Sequence, residues 1–316
     1  MMCEAPLSVP LHTQEGALRM SHRLEFRLSE NPWAPTAVIE QINDLTGSGL
    51  VLTGLADQVG GVSSAAFVAW PDGRQSAVTR PRTPLPLMRL TATVLNEARA
   101  LGLPVPAYQL VLDLGDGYLA VVTERLPGHH VDILDQTTAA SFLATNDRFA
   151  GLLRDHPEVP PPPAFPDEGP GYGAFEHTIG AHSERGRRLL RRLLDIDGGQ
   201  PFRMQGDDLV HVDYTPGNVL FDDAGQVSGV VDWNFGAARG DRLYALIGLQ
   251  WGSVGVRSIA PAERARIDQA LAVLDPATRR SYEAHALVYQ VHSSITKGFT
   301  TERVDVDVDR AEQLLA

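Results

Sequence analysis

Two short apolar runs, Val219 to Phe221 and Val227 to Val231, are joined through the turn residues Asp222, Asp223, Ala224 and Gly225. Runs this short and this close predict a β-hairpin, because a tight turn leaves the second strand nowhere to go but back along the first. The pairing has a consequence at the open end. Asn218 just before the first strand and Asp232 at the end of the second must lie side by side. Immediately upstream, the apolar run Leu209 to His211 leads into a loop that holds Asp213, Pro216 and Gly217.

An amide oxygen and a carboxylate converging at a strand end form a hard-oxygen site suited to Mg²⁺, which takes few protein ligands and keeps its other positions for water and phosphate. Asp213, five residues before Asn218, is placed to accept a proton from an attacking hydroxyl. The spacing His-x-Asp-x-x-x-x-Asn, a hairpin, then Asp, is what phosphoryl transfer needs.

The rest of the chain divides by periodicity. Pro35 to Leu45 predicts a helix ended by Gly47, Ser48 and Gly49. Leu50 to Leu55, Ser64 to Trp70, Gln75 to Arg80, Tyr108 to Leu114 and Tyr118 to Glu124 predict five antiparallel strands, with a helix over Pro86 to Leu101 inserted among them. Helical spacing then takes over, at Thr138 to Leu153, Thr178 to Leu194, Pro261 to Leu274 and Thr278 to Ser294. The proline tract Pro160 to Pro163 predicts a loop. The expected fold is α+β and two-lobed: an N-terminal lobe over 1–125, with a β-sheet, and a C-terminal helical lobe over 126–316.

Composition narrows the partners. The 316 residues carry 27 Lys and Arg against 39 Asp and Glu, and a net charge of −12 makes nucleic acid a poor partner. The basic run Arg187, Arg188, Arg191 and Arg192 alternates with leucines at helical spacing, as a solvated helix face does. The acidic run Glu302, Asp305, Asp307, Asp309 and Glu312 reads first as another solvated face and second as the lining of a cationic-substrate pocket. One cysteine, Cys3, excludes an internal disulfide. Met1 to Gly16 is broken by Glu4, Pro6, Pro10 and His12, so no signal peptide is expected, and no run approaches the roughly 20 apolar residues of a membrane span. The expected compartment is the cytoplasm.

The segment from Asp208 to Gly240 resembles the catalytic core of the aminoglycoside phosphotransferase-like enzymes, the small-molecule branch of the protein-kinase-like fold. His211, Asp213, Asn218, the hairpin and Val231-Asp232-Trp233 carry that resemblance together. Gly73 to Pro81 is similar to the family's strand that bears a phosphate-binding cation, and Glu124 to Gly128 to its interlobe linker. The resemblance implies that Asp213 is the general base, His211 an orienting histidine, and Asn218 and Asp232 the Mg²⁺ ligands. It also implies that the backbone of Gly60, Gly61 and Val62 covers the phosphates, and that of Glu124 and Leu126 meets the base of ATP or GTP. Because the only lysine, Lys297, lies far down the helical half, Arg80 becomes the candidate phosphate cation.

The sequence also departs from the family pattern. Val212 stands where many relatives have Gly, and Ala245 where a later Asp is usual. Glu97 is the only acid on the inserted helix but lies near its end, and Thr91 falls closer to the family's cation-orienting position. The expected function is transfer of a γ-phosphoryl group to a hydroxyl of a small molecule, foremost an antibiotic. A metabolic kinase for choline, homoserine or a sugar is the second reading, with Trp233, Trp251, Tyr244 and Tyr289 as a possible ammonium cage; a nucleotide-binding protein without turnover is the third. His129 and His130, adjacent on an extended segment, read as a solvated pair.

Overall fold

The computed structural model describes residues 34–56, 65–165, 175–250 and 258–316. It begins with helix α1 (Pro35–Thr46), which Pro35 starts and left-handed Gly47 ends. Five antiparallel strands follow: β1 (Val51–Leu55), β2 (Ala66–Ala69), β3 (Gln75–Thr79), β4 (Tyr108–Asp113) and β5 (Leu119–Glu124), in the order β1-β2-β3-β5-β4. Helix α2 (Leu85–Ala100) connects β3 to β4.

Alternation gives this sheet two buried faces. Val38, Ile39 and Ile42 of α1 cover one, over Ala66, Val68, Val78 and Val122. Met88 of α2 covers the other, over Leu119 and Val121. Each fully buried aliphatic side chain contributes about 2 kcal/mol, as an upper figure.

The chain leaves the sheet through Arg125 to Gly128. At Gly128 the backbone has φ +110°, and a Cβ would sit 2.2 Å from Ser228 Oγ and 2.8 Å from the Phe221 carbonyl. Ser228 Oγ donates to the Pro127 carbonyl at 2.8 Å, and Phe221 and His129 exchange backbone hydrogen bonds. Only glycine tolerates both this dihedral and this approach. Gly128→Ala is therefore expected to cost about 2 kcal/mol or more, read as a lowered melting temperature; an unchanged one would show that the clamp gives way freely.

Beyond it come β6 (Ile133–Leu134), α3 (Gln136–Asp147), a π-helical turn (Glu176–Gly180), α4 (Glu184–Ile196), β7 (Asp208–Val210), β8 (Val219–Phe221), β9 (Val227–Val230), β10 (Ala238–Gly240), α5 (Tyr244–Ile247), β11 (Ser258–Ile259), α6 (Pro261–Leu271), α7 (Pro276–Thr296) and α8 (Thr301–Leu314). The antiparallel pair β8 and β9 is the expected hairpin, and β7 pairs antiparallel with β10. Phe142, Phe149, Tyr214 and Trp233 lie in the largest core cluster. Leu189, Leu190 and Leu193 of α4 pack with Val288 and Val291 of α7 and Val304 and Val308 of α8 in a second.

Several boundaries differ from the sequence reading. The helix expected to reach Leu153 ends at Asp147, and the one expected from Thr178 is a π-turn and then a separate helix, restarted by Ser183, whose Oγ caps Gly186 N–H at 3.1 Å. In the acidic C-terminal run Glu302, Asp305 and Asp309 are exposed, as on a solvated face, but Asp307 is buried and Asp305 and Asp309 carry ion pairs. Arg185 of α4 is ion-paired with Asp305, Asp309 and Glu312, at 2.7 Å for Glu312, and buried Asp307 accepts from Ser294 Oγ at 2.5 Å. His129 and His130 are both exposed, as expected of a solvated pair, although His130 Nδ1 lies 3.2 Å from the Val219 carbonyl.

Candidate active site

The hairpin performs the expected juxtaposition. Val231 N–H donates to the Asn218 carbonyl at 2.9 Å, which seats Asn218 beside the Asp232 backbone. Asn218 Nδ2 donates to Asp213 twice, to its carbonyl at 2.8 Å and its Oδ2 at 3.0 Å. The loop is thus closed on itself by one amide, and Asp213 Oδ1 has no partner among the described residues.

His211 is the bolt between strands. It is buried, its Nε2 donates to the Val231 carbonyl at 2.9 Å, and its Nδ1 accepts from Asp213 N–H at 3.2 Å. Burial pushes the imidazole down to about 4, so it is neutral near pH 7 and holds a single tautomer. It packs against Trp233, whose Nε1 donates to the Val230 carbonyl at 2.9 Å.

The two carboxylates are shifted together. Asp213, half-buried, is pushed up to about 6, by burial first and by the charge of Asp232 second, with the Asn218 hydrogen bond and Lys297 opposing. Asp232 reaches solvent on one side and is crowded by protein on the others; burial raises its carboxyl, while hydrogen bonds from Asn234 and the charge of Lys297 lower it. Asp232 has φ +61°, the single non-glycine residue with positive φ among those described. A left-handed aspartate is a strained choice that costs about 1 kcal/mol, and such strain concentrates at functional sites.

Arg80 is a correction to the sequence reading. Val78 faces the α1 side of the sheet, Thr79 the opposite side, and Arg80 again the α1 side, because successive strand residues alternate. Its guanidinium is buried, with Nη2 on Asp116 Oδ2 at 2.5 Å and the group 5.4 Å over the Tyr118 ring; Nε and Nη1 have no partner among the described residues. The side chain facing the site is Thr79, whose Oγ1 donates to Asn234 Oδ1 at 2.9 Å. Glu97 does not pair with Arg80 either, for its Oε2 lies 2.7 Å from His156 Nε2. At Thr91 the Oγ1 donates to the Leu87 carbonyl and accepts from Ala237 N–H, both at 2.8 Å, so α2 is tied to the segment after Asp232 through a neutral hydroxyl.

Of the linker residues, Glu124 N–H is already taken by the Ala107 carbonyl at 2.9 Å, and its carboxylate by Arg99 at 2.7 Å. Leu126 packs its buried side chain on Gly229 while its backbone groups have no partner among the described residues. Gly60, Gly61 and Val62 lie outside the described residues, as does Trp251. The remaining aromatics do not form a cage: Trp233 packs on His211, Tyr244 on Phe165 and Tyr282, and Tyr289 on Phe175 and His292.

Sequence reasoning missed Thr79 and Asn234, and named Tyr289 only for an ammonium cage. Tyr289, from α7, lies close enough to Asp213 for that charge to raise its hydroxyl, after burial. Only Thr79 carried a signal, the strand alternation that separates it from Arg80.

Two strand ends, a carboxylate held by an amide, and a second carboxylate on left-handed backbone, beside a five-stranded sheet, are the arrangement of a phosphotransferase of the protein-kinase-like fold. The chain belongs to the phosphotransferase enzyme family (APH), whose model matches residues 58–285. Among solved structures, it is similar to aminoglycoside phosphotransferase APH(4)-Ia, at 16% identity and TM-score 0.62, covering 89% of this chain and 98% of that one. The GDP and kanamycin complex of APH(2")-IIIa is similar at 12% identity and TM-score 0.58, covering 88% and 97%. Macrolide 2'-phosphotransferase MphH from Brachybacterium faecium is similar at 20% identity and TM-score 0.52, also covering 88% and 97%. No protein of curated function matches in sequence. No helix among the described residues is long and apolar enough to cross a membrane.

Proposed function

We propose that this phosphotransferase moves the γ-phosphoryl group of ATP or GTP to a hydroxyl of a small molecule, foremost an antibiotic, in the cytoplasm. The observation that carries the reading is the set Asp213, Asn218 and Asp232, brought together at the open end of one hairpin. The lobes meet near residue 126, with nucleotide between them and the base against the free backbone of Leu126. That solved relatives in fold hold AMP-PNP with hygromycin B, or GDP with kanamycin, supports both the donor and the acceptor class.

Asp213 is the base. Its Oδ1 takes the acceptor's hydroxyl proton as the acceptor oxygen bonds to the γ-phosphorus; the bond to the β-bridging oxygen breaks, and its electron pair leaves on the nucleoside diphosphate. Asn218 holds Oδ2 so that Oδ1 faces the substrate, and His211 holds the backbone of Asp213. The donor set fits Mg²⁺: Asn218 uses its Nδ2 on Asp213, which leaves Oδ1 for a cation, and Asp232 is the neighbouring carboxylate. Mg²⁺, when bound there, would neutralise charge on the β- and γ-phosphates.

The test is a panel of aminoglycosides, macrolides, nucleoside antibiotics, choline, homoserine and sugars, incubated with Mg²⁺ and each nucleotide. A mass increment of one phosphate on an antibiotic is expected. An increment on a metabolite alone would replace the antibiotic reading, and none at all, with no nucleotide hydrolysis, would leave only a binding protein.

A further inference from the structure

Strand alternation gives the N-terminal sheet a second face, turned away from α1. Ala66, Val68 and Val78 point to α1, so Phe67 of β2 and Ala77 and Thr79 of β3 point the other way, where Thr79 Oγ1 meets Asn234, two residues past Asp232. The register lines up Gly54, Phe67, Ala77 and Thr123 across β1, β2, β3 and β5, and all four are half-buried. In that row of four, Phe67 is the one ring among small side chains.

Arg125, the first residue after β5, belongs to the same face. Its N–H donates to the Gln75 carbonyl at 3.2 Å, which keeps it in register with β3, and its Cζ stands 3.9 Å from the centroid of the Phe67 ring. The guanidinium is thus held by a cation–π contact, which spends none of its five N–H donors. Those donors make no hydrogen bond or ion pair among the described residues, because Glu124 beside Arg125 is engaged by Arg99 at 2.7 Å. The next residue, Leu126, packs its side chain on Gly229 of β9, three residues before Asp232. That length of extended chain is about 10 Å. Arg125 therefore stands at the linker end of the cleft, with the metal-side carboxylate at the other end.

We propose that the Arg125 guanidinium, seated on Phe67, selects the base of the phosphoryl donor, and that the base is guanine. The inference rests on the phosphotransferase reading above, which leaves ATP and GTP both open. Guanine presents O6 and N7, two acceptors side by side, which a donor-only fork meets with two hydrogen bonds. Adenine sets an amino group beside its N7, so that donor faces donor. The Leu126 backbone offers one N–H and one carbonyl, a pair that either purine can use, so the discrimination falls to the side chain. Because the ring holds the guanidinium before any nucleotide arrives, little side-chain freedom is lost on binding.

The test is calorimetric titration, in Mg²⁺, of GDP, ADP, inosine diphosphate and 7-deazaguanosine diphosphate into the full chain and into Arg125→Ala. GDP is expected to bind the parent about 10- to 100-fold more tightly than ADP. Inosine diphosphate keeps O6 and N7 and lacks only the 2-amino group, so it should stay within about threefold of GDP. The 7-deaza analogue lacks N7 and should bind about tenfold more weakly than GDP. Arg125→Ala should bring the ratio of GDP to ADP affinity to within about threefold of one. Four results would each overturn the proposal and leave the phosphotransferase reading in place: a parent with no preference for GDP, inosine diphosphate binding only as ADP does, a 7-deaza analogue as tight as GDP, or a GDP preference that survives in Arg125→Ala. A parent that binds none of these nucleotides overturns both. Should Arg125→Ala fail to fold, the two analogues on the parent decide the matter alone.

Discussion

Asp213→Asn is expected to abolish transfer and to make the protein more stable. The rate should fall about 10²- to 10⁴-fold, because the hydroxyl proton loses its acceptor, while nucleotide affinity stays within about threefold. The stability gain follows from burial. The Asp213 carboxyl is pushed up to about 6 in the folded chain, against about 3.9 when unfolded. Below about pH 4 both states hold the proton and the residue has no effect on stability. As pH rises towards 6 the unfolded chain ionises first, so the folded state is penalised, and above 6 the penalty is complete at about 3 kcal/mol. Asparagine keeps the shape and accepts from Asn218 without that charge. Thermal unfolding should therefore show the variant a few degrees above the parent at pH 7 and level with it near pH 4. A variant that is less stable at pH 7, or equally displaced at both values, would contradict the shift. By the same reasoning the parent's kcat/KM should rise with pH through about 6 as Asp213 ionises.

Asp232→Asn should remove the metal rather than the base. Turnover is expected to fall about 10³-fold or more, and nucleotide affinity to become indifferent to Mg²⁺. Asparagine tolerates the left-handed backbone at φ +61°, so the fold should persist. Asp232→Val gives the contrast, since a β-branched residue there adds strain of about 1–2 kcal/mol and should lower the melting temperature as well as the rate. Titration of Mg²⁺ against nucleotide binding decides the matter: a variant that still shows metal-dependent affinity would place the ligand elsewhere.

The hairpin end was legible because everything it needs lies within about 25 residues. The turn at Asp222 to Gly225, the β-branched runs on each side and the flanking Asn218 and Asp232 constrain one another through dihedral preference and strand period alone. The same holds for the five strands, each bounded by glycine or proline. Arg80 shows where such reasoning fails. One residue along a strand reverses the face, and nothing local said whether Thr79 or Arg80 turned towards the site; Asn234, 155 residues away, answers it by accepting from Thr79 Oγ1. The acidic run reads correctly as a largely solvated face, but its pairing does not, since its partner Arg185 is 124 residues distant at Asp309 and the pairing depends on α4 lying across α8.

By itself, then, the sequence determined the elements, the division into a sheet-bearing and a helical half, and the group Asp213, Asn218 and Asp232, because short spacings and backbone preference leave little choice. Tertiary structure decided which charges meet. It turned Arg80 away to Asp116 and tied Thr91 to Ala237. Those outcomes depend on how buried faces of different elements pack, and packing is a property of the whole chain that no local spacing contains.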